Sequence, residues 1–165
     1  MRKPAAGRPF PDPAFMRRAI REARRNLRTL DGGPFGACVV RDGTLIAAAR
    51  NTVLRDDATC HAEVNAIRKA ARKLGTFDLS GCVIYTTTEA CPMCFGAIHW
   101  ARIATIVSGA RIRDAKRAGF HELGISNARL KKLGRSRVRL VEAFLRDEAL
   151  ELFEAWARLP RRRTY

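Results

Sequence analysis

The sequence predicts a domain of the α/β class, in which helices pack against a mixed β-sheet. Its 165 residues are about the length of one domain. A composition of 47% hydrophobic and 29% charged residues is typical of a chain with a folded core. Helical and strand-like segments alternate along the chain after a first helix and a hairpin. We therefore expect a single domain over residues 1–165, with residues 1–11 and 160–165 as tails.

The chain begins with signals for a helix and a hairpin. Asp12 followed by Pro13 is typical of a helix start, so a helix is predicted from there to about Leu30. Asp42-Gly43 between two apolar runs predicts a type I′ turn that joins two antiparallel strands. In chain order, we predict strands at 37–41, 45–49, 83–87, 103–108 and 137–141, and further helices at 61–74, 92–100, 114–120 and 147–159.

The charge is the most unusual feature of the composition. The chain holds 32 Lys and Arg against 16 Asp and Glu, a net charge of +16, which is typical of nucleic-acid-binding proteins. The excess lies in residues 1–28, in residues 129–139 and in Arg161–Arg163, whereas the middle of the chain is nearly neutral. The arginines of the first helix share one face, which indicates either a solvated surface or a stripe that contacts RNA or a membrane. Since the sequence has no signal-peptide pattern and no membrane-spanning run, we expect a cytoplasmic protein.

Two short clusters carry residues of chemical interest. His61 and Glu63 stand at the predicted start of one helix, and Cys91 and Cys94 at the start of another. Cysteines at this spacing on a first helical turn point the same way, and together with one imidazole nitrogen they suit zinc. Three protein ligands leave a fourth position for water, as in catalytic zinc sites. We expect one Zn²⁺ per chain, with Glu63 beside it to move a proton.

Other interpretations of these residues remain open. Cys91 and Cys94 alone are compatible with a redox pair, and Glu63 alone with a partner for the helix dipole. Cys60 is an alternative fourth zinc ligand that would close the site. Cys38 and Cys82 lie in apolar, strand-like contexts and are interpreted as core residues. The presence of both clusters together favours a catalytic zinc site.

His-x-Glu followed by Cys-x-x-Cys is the signature of zinc-dependent nucleobase deaminases. Further segments match in the same order, namely GPFGA at 33–37, Asn51, HAEVNAIR at 61–68, and CPMC at 91–94 followed by AIHWAR at 97–102. Over about residues 10–120 the chain resembles the guanine deaminase branch of the cytidine deaminase-like superfamily. The resemblance implies a three-layer α-β-α sandwich with a five-stranded mixed sheet. It also implies a homodimer whose carboxy-terminal segments are exchanged across the active sites.

The resemblance further implies roles for single residues. His61, Cys91 and Cys94 match the zinc ligands, and Glu63 matches the proton shuttle. The substrate-binding positions that it implies are Asn51, Phe35, Ala62, Glu122, Trp100 and Tyr165. The chain departs from the family pattern at Ala90, where a proline is usual, and residues 124–139 match no motif.

Three functions are consistent with these patterns. The first is a hydrolase that deaminates a purine nucleobase or nucleoside, with guanine as the expected type of substrate and ammonia as a product. The second is a tRNA-specific adenosine-to-inosine deaminase, which accounts for the basic charge. Gly33-Pro34-Phe35 and Trp100-Ala101-Arg102 favour the first, because tRNA deaminases usually carry other residues there. The third is a non-catalytic, zinc-stabilised RNA-binding module, which the intact Glu63 disfavours.

Overall fold

The computed structural model describes residues 9–165, which form five strands and six helices. The strands are β1 (Gly36–Arg41), β2 (Thr44–Arg50), β3 (Cys82–Thr88), β4 (Thr105–Ala110) and β5 (Arg139–Val141). The helices are α1 (Pro13–Thr29), α2 (Ala62–Leu74), α3 (Pro92–Trp100), α4 (Ile112–Arg117), α5 (Asn127–Leu133) and α6 (Arg146–Ala157). None of these helices is long and apolar enough to cross a membrane.

The strands form one mixed sheet in the order β2-β1-β3-β4-β5. β1 is antiparallel to both β2 and β3, while β3, β4 and β5 run parallel to one another. Since parallel neighbours require a crossover, α3 connects β3 to β4 and places its amino terminus at the carboxyl end of β3. The two cysteine candidates therefore lie at the carboxyl end of the central strand, β3.

Helices cover both faces of the sheet. Successive residues of β1 point to opposite faces, so Val39 packs in the core beside α2 and α3 while Cys38 and Val40 pack beside α1. The cluster beside α1 also includes Leu152 of α6. The predicted three-layer α-β-α sandwich with five strands is therefore confirmed.

Local signals explain the first elements. The Asp12 carboxylate accepts a hydrogen bond of 2.8 Å from the backbone N–H of Ala14 and so caps α1. Asp42 and Gly43 have φ angles of 49° and 68°, as a type I′ turn requires. Gly36 lies so close to the main-chain oxygen of Ala19 that a β-carbon would overlap it, which lets α1 pack tightly on β1.

The structure differs from the sequence prediction at α5 and at the two tails. α5 lies within the segment that matched no motif, and the Ser126 hydroxyl caps it by accepting a 3.2 Å hydrogen bond from the N–H of Arg129. Of the predicted amino-terminal tail, residues 1–8 lie outside the described residues, while the ring of Phe10 packs 5.1 Å from the guanidinium carbon of Arg139. Within the predicted tail at 160–165, Tyr165 is held against the domain, since its main-chain oxygen accepts a 2.8 Å bond from the N–H of His121.

Candidate active site

Two helix starts bring the zinc-ligand candidates together. His61 is the N-cap residue of α2 and Cys91 is that of α3, both with extended backbone conformations. Neither side chain caps its own helix, so both are available for other contacts. The His61 Nδ1 and Cys91 Sγ atoms lie 3.6 Å apart.

The donor atoms of His61, Cys91 and Cys94 fit a zinc ion. All three lie within 4.8 Å of one another. A tetrahedron with Zn–S and Zn–N bonds of normal length places its ligand atoms about 3.5–3.8 Å apart, which matches the distance from His61 to Cys91. Cys94 and the neighbouring His61 lower the pKa of the Cys91 thiol to about 4, despite its burial, and so favour the thiolate that a metal requires. This set of one nitrogen and two sulfurs is positioned to bind a zinc ion.

The structure does not support Cys60 as a fourth ligand. Cys60 is buried beside His61 in sequence, but its Sγ atom lies 3.4 Å from the Asp57 carboxylate and 3.4 Å from the Arg68 guanidinium. It is absent from the converging group of described metal-binding side chains. The site therefore keeps the open, three-ligand composition of catalytic zinc centres.

Glu63 lies beside this centre on the first turn of α2 and is almost fully buried. Its Oε1 atom is 2.9 Å from the Thr86 hydroxyl, and its Oε2 atom is 3.5 Å from the Sγ of Cys94. Burial raises the pKa of the Glu63 carboxyl above its ordinary value of 4.5. A raised pKa makes the carboxylate a stronger proton acceptor, which suits a proton shuttle.

A cavity of about 200 Å³ opens onto the zinc-ligand candidates. Its walls are Phe35, Asn51, Val53, Ala58, His61, Glu63, Thr88, Glu89, Cys91, Phe120, His121, Glu122 and Tyr165. Phe120 packs edge-on against Phe35 and Tyr165, with ring centroids 4.8 and 5.6 Å apart. These rings form an apolar wall suited to a flat, aromatic ligand.

Asn51 is fixed in one orientation inside the cavity. Its Oδ1 atom accepts hydrogen bonds from the Tyr165 hydroxyl at 2.7 Å and from the N–H of Val53 at 3.0 Å. Its main-chain oxygen accepts a further bond of 2.7 Å from the side chain of Asn26. Because two donors occupy Oδ1, the Nδ2 group, which has no partner among the described residues, remains available to donate to a ligand.

Glu122 supplies the second polar group that is available to a ligand. Burial, together with the neighbouring Cys91 thiolate, raises the pKa of its carboxyl to about 7. The Tyr165 hydroxyl, in contrast, stays neutral, since burial raises its pKa to about 12. Asn51 thus offers the cavity an amide donor, and Glu122 offers it a carboxyl in addition to those of Glu63 and Glu89.

The structure brings together most of the predicted site residues. Phe35, Asn51, Glu122 and Tyr165 line the cavity with His61, Glu63 and Cys91. Ala62 is buried as the first residue of α2 and is not part of the lining. Trp100 is 79% exposed and is not part of the lining of this cavity, so its role in substrate binding stays a prediction. Trp100 closes α3, and a rise of about 1.5 Å per residue places it roughly 12 Å from the first turn that carries the ligands.

Several wall residues carried no sequence signal of their own. Val53 and Ala58 belong to the loop before α2, and Phe120 and His121 directly precede Glu122. Thr86 is also part of the site, through its contact with Glu63. The run of three threonines that ends an otherwise apolar strand is a sequence feature that could have indicated it.

Fold and site together define the class of protein. A His-Cys-Cys metal centre beside a buried glutamate, at one end of a layered α/β sheet, is the architecture of a zinc-dependent deaminase. The model of the cytidine and deoxycytidylate deaminase zinc-binding region matches residues 11–110 of the chain. The protein belongs to this family.

Two curated relatives illustrate its range. The guanine deaminase of Bacillus subtilis (strain 168) is 40% identical over 152 residues, which cover 92% of this chain and 97% of the relative. A tRNA-specific adenosine deaminase of Aquifex aeolicus (strain VF5) is 40% identical over 106 residues, which cover 64% of this chain and 68% of the relative. The first similarity extends over nearly the whole chain, the second over about two thirds of it.

Solved structures agree with the fold described above. A guanine deaminase from Nitrosomonas europaea superposes with a TM-score of 0.80 at 33% identity, covering 88% of this chain and 84% of its own. A structure of a related protein in complex with 2,6-diaminopurine superposes with a TM-score of 0.81 at 34% identity, covering 89% and 82%. The fold and the arrangement of elements are therefore shared with purine-binding members of the family.

Proposed function

We propose that this protein hydrolyses the amino group of a purine base, with guanine as its substrate, and releases ammonia. The observation that carries the proposal is the cavity, whose walls bring Asn51 and Glu122 together with the zinc-ligand candidates and Glu63. The similarity to a guanine deaminase over 92% of the chain supports the same substrate.

The dimensions of the cavity favour a free base. At about 200 Å³ it is smaller than the roughly 300–1,000 Å³ of pockets for larger ligands. Tyr165 narrows it further, because the Tyr165 hydroxyl is hydrogen-bonded both to Asn51 and, at 2.8 Å, to the N–H of Gly33. A base without ribose therefore fits the enclosed volume best.

The polar groups of the cavity complement guanine. Guanine carries hydrogen-bond acceptors on its ring edge, to which the Nδ2 group of Asn51 can donate. It also carries an N–H at N1 of its six-membered ring, where adenine has an unprotonated nitrogen, and the ionised Glu122 carboxylate can accept from that group. We infer that Asn51 orients the ring and that Glu122 selects guanine over adenine.

The chemistry follows from the residues around the bound ring. His61, Cys91 and Cys94 would hold zinc, which when bound supplies the Lewis acidity that activates a water molecule. Glu63 accepts a proton from that water and delivers it to the amino nitrogen of the substrate. The carbon gains an oxygen as its bond to nitrogen breaks, so the products are an oxo-purine and ammonia. The aromatic wall formed by Phe35, Phe120 and Tyr165 limits the access of other water.

The test is a substrate panel assayed for ammonia. Purified zinc-loaded protein is offered guanine, guanosine, adenine, cytosine and a tRNA anticodon stem-loop. We expect ammonia to be released from guanine. We expect Glu63→Ala to lower kcat by about 10²–10⁴-fold, with its zinc content unchanged. If inosine forms in the stem-loop and no free base reacts, the substrate is tRNA and not guanine. If the protein binds RNA in a salt-sensitive way and releases no ammonia from any substrate, it is a non-catalytic RNA-binding module.

Deamination of adenosine in tRNA is the second candidate. The similarity to the tRNA-specific adenosine deaminase of Aquifex aeolicus and the basic composition favour it. The ribose and phosphates of a bound RNA, however, must extend out of the cavity. Tyr165 would have to move for this, because its hydroxyl lies 2.7 Å from Asn51.

We also propose that the protein is a homodimer that packs through α3. Met93, Gly96, Ala97 and Trp100 follow one another at helical spacing and form an apolar stripe, and homodimer interfaces are rich in such residues. A β-carbon at Gly96 would meet no atom within 4 Å, so a larger side chain fits the separate chain. In light scattering we expect Gly96→Glu to be monomeric and the exposed control Arg117→Glu to remain dimeric. An unchanged mass for Gly96→Glu would refute this interface.

Exchange of the carboxy-terminal segments between protomers is a separate proposal. Tyr165 contacts the cavity of its own chain in the structure, and the same contacts can form between two chains. Glu63→Ala protein and Tyr165→Ala protein are mixed, briefly unfolded and then refolded together. If tails are exchanged, the intact Glu63 meets an intact Tyr165 and activity exceeds that of either variant. Activity equal to the average of the two excludes exchange.

We further propose a cytoplasmic location. The five cysteines are free thiols and three of them are fully or largely enclosed in the core, outside the zinc centre. Free thiols are typical of proteins in reducing compartments. Fractionation of cells that express the tagged protein tests this, and recovery with membranes or in the medium would contradict it.

A further inference from the structure

Thr86 is a buried polar residue in the middle layer of the protein, next to the active site but outside the cavity. It lies in β3 and is only 1% exposed. Its Oγ1 atom lies 2.9 Å from Oε1 of Glu63 and 2.9 Å from the main-chain oxygen of Thr88. Since it is absent from the cavity lining, Thr86 does not contact the substrate.

The two oxygens of the Glu63 carboxylate have different surroundings. Thr86 holds Oε1 from the strand side, whereas Oε2 lies 3.5 Å from the Sγ of Cys94. No other described side chain donates to Oε1. The hydroxyl therefore connects α2, which carries Glu63, to β3, and it directs the second oxygen towards the zinc-ligand candidates.

The hydroxyl of Thr86 has one hydrogen for two acceptors at equal distance. A valine in its place would preserve the β-branched shape that suits a strand and remove only the hydrogen bonds. The neighbouring Thr87 is equally buried, but its Oγ1 atom accepts a 3.1 Å bond from the N–H of Gly36, away from Glu63. These adjacent threonines thus form a natural pair in which only one touches the catalytic carboxylate.

We propose that Thr86 is a positioning residue for Glu63: its hydroxyl fixes the carboxylate so that Oε2 faces the reacting atoms. The proposal rests on the deaminase function proposed above. Correct placement of a proton-transfer group matters, because a displacement of about 1 Å can cost roughly 10²-fold in rate. The loss should therefore appear in kcat, while KM changes little.

Three variants test the proposal in the zinc-loaded enzyme. We expect Thr86→Val to lower kcat by about 10- to 100-fold with KM within about 2-fold of the parent. Thr86→Ser keeps the hydroxyl, and we expect it to restore kcat to within about 3-fold of the parent. Thr87→Val also removes a buried threonine hydroxyl and leaves the N–H of Gly36 unpaired, so it matches the structural damage without touching Glu63. If Thr86→Val and Thr87→Val lose kcat equally, Thr86 has only a structural role.

A crystal structure of Thr86→Val gives a readout that does not depend on activity. We expect the Glu63 carboxylate to rotate or shift, with zinc content and the positions of the ligands unchanged. A Glu63 carboxylate that keeps its place overturns the proposal whatever the kinetics show. If the parent protein does not act on guanine, the proposed substrate fails, and the position of Glu63 in this structure still decides the role of Thr86.

Discussion

Tyr165 at the end of the described chain closes the candidate active site, and replacing it with phenylalanine tests that role. The Tyr165 hydroxyl accepts a hydrogen bond of 2.8 Å from the N–H of Gly33 and donates one of 2.7 Å to Oδ1 of Asn51. Tyr165→Phe removes both bonds but keeps the ring, which packs edge-on against Phe120. Any change in activity therefore reports on the hydroxyl rather than on the apolar wall.

The structure sets the size of the expected effect. The N–H of Gly33 loses its partner, at a cost of about 1–3 kcal/mol for an unsatisfied buried donor. Oδ1 of Asn51 keeps its second donor, the N–H of Val53, so the amide is loosened but not released. Because Tyr165 is only partly buried, water can reach this end of the chain, and we expect the lower part of that range, about 1–2 kcal/mol. This corresponds to a decrease of about 5- to 30-fold in kcat/KM.

The assay is ammonia release from guanine over a range of concentrations. We expect Tyr165→Phe to act mainly through KM, because the role proposed for Asn51 is to bind the ring and not to transfer the proton. The control is Thr164→Val, which changes an exposed residue one position away. Equal kcat/KM values for Tyr165→Phe and the parent would show that the hydroxyl does not hold Asn51 in its working orientation.

Further predictions concern the amide, the metal and a buried ion pair. Asn51→Asp keeps an acceptor for Tyr165 but replaces the donating Nδ2 group, so we expect kcat/KM for guanine to fall by about 10- to 100-fold without loss of the fold in circular dichroism. Removal of zinc with a chelator should abolish ammonia release, and added Zn²⁺ should restore it, whereas Mg²⁺ should not. Glu22 is buried and paired with Arg18, which lowers the pKa of the Glu22 carboxyl below 4.5 despite its burial. The pair therefore stabilises the fold above about pH 4.5, and this stabilisation is lost as the pH falls through the pKa of the folded state. Glu22→Gln should therefore lower the free energy of unfolding by about 1–2 kcal/mol at pH 7, with a smaller difference in denaturant titrations at pH 3.

Elements with local signals could be predicted from the sequence alone. Asp12 caps α1, and Asp42-Gly43 forms the expected turn, because each acts on its immediate neighbours. α5 could not be predicted, since it is short and Asn127 is its one buried residue, so no apolar periodicity marks it. Its stability comes instead from tertiary contacts, such as the 2.7 Å bond from the N–H of Asn127 to the Glu89 carboxylate.

The site shows the same division between local and distant information. The metal-ligand spacing could be predicted because Cys91 and Cys94 share one helical turn. The contact of Tyr165 with Asn51 spans 114 positions, and nothing in either local sequence encodes it. Trp100 follows the ligand cysteines in the same sequence motif, but α3 places it on the surface, outside the cavity of its own chain.

Ion pairs account for most of the arginines on the first helix, which is one of the basic segments of the chain. Four of the arginines of α1 form ion pairs with acidic residues, two of them on α6: Arg17–Glu148, Arg24–Glu151, Arg18–Glu22 and Arg25–Glu22. This favours the interpretation of that face as an ordinary helix surface over a stripe for RNA or a membrane. The described lining of the cavity contains no Lys or Arg, although the chain has 32 of them. A pocket for a phosphate-bearing ligand would place cations on its walls, so their absence from this lining favours an uncharged base.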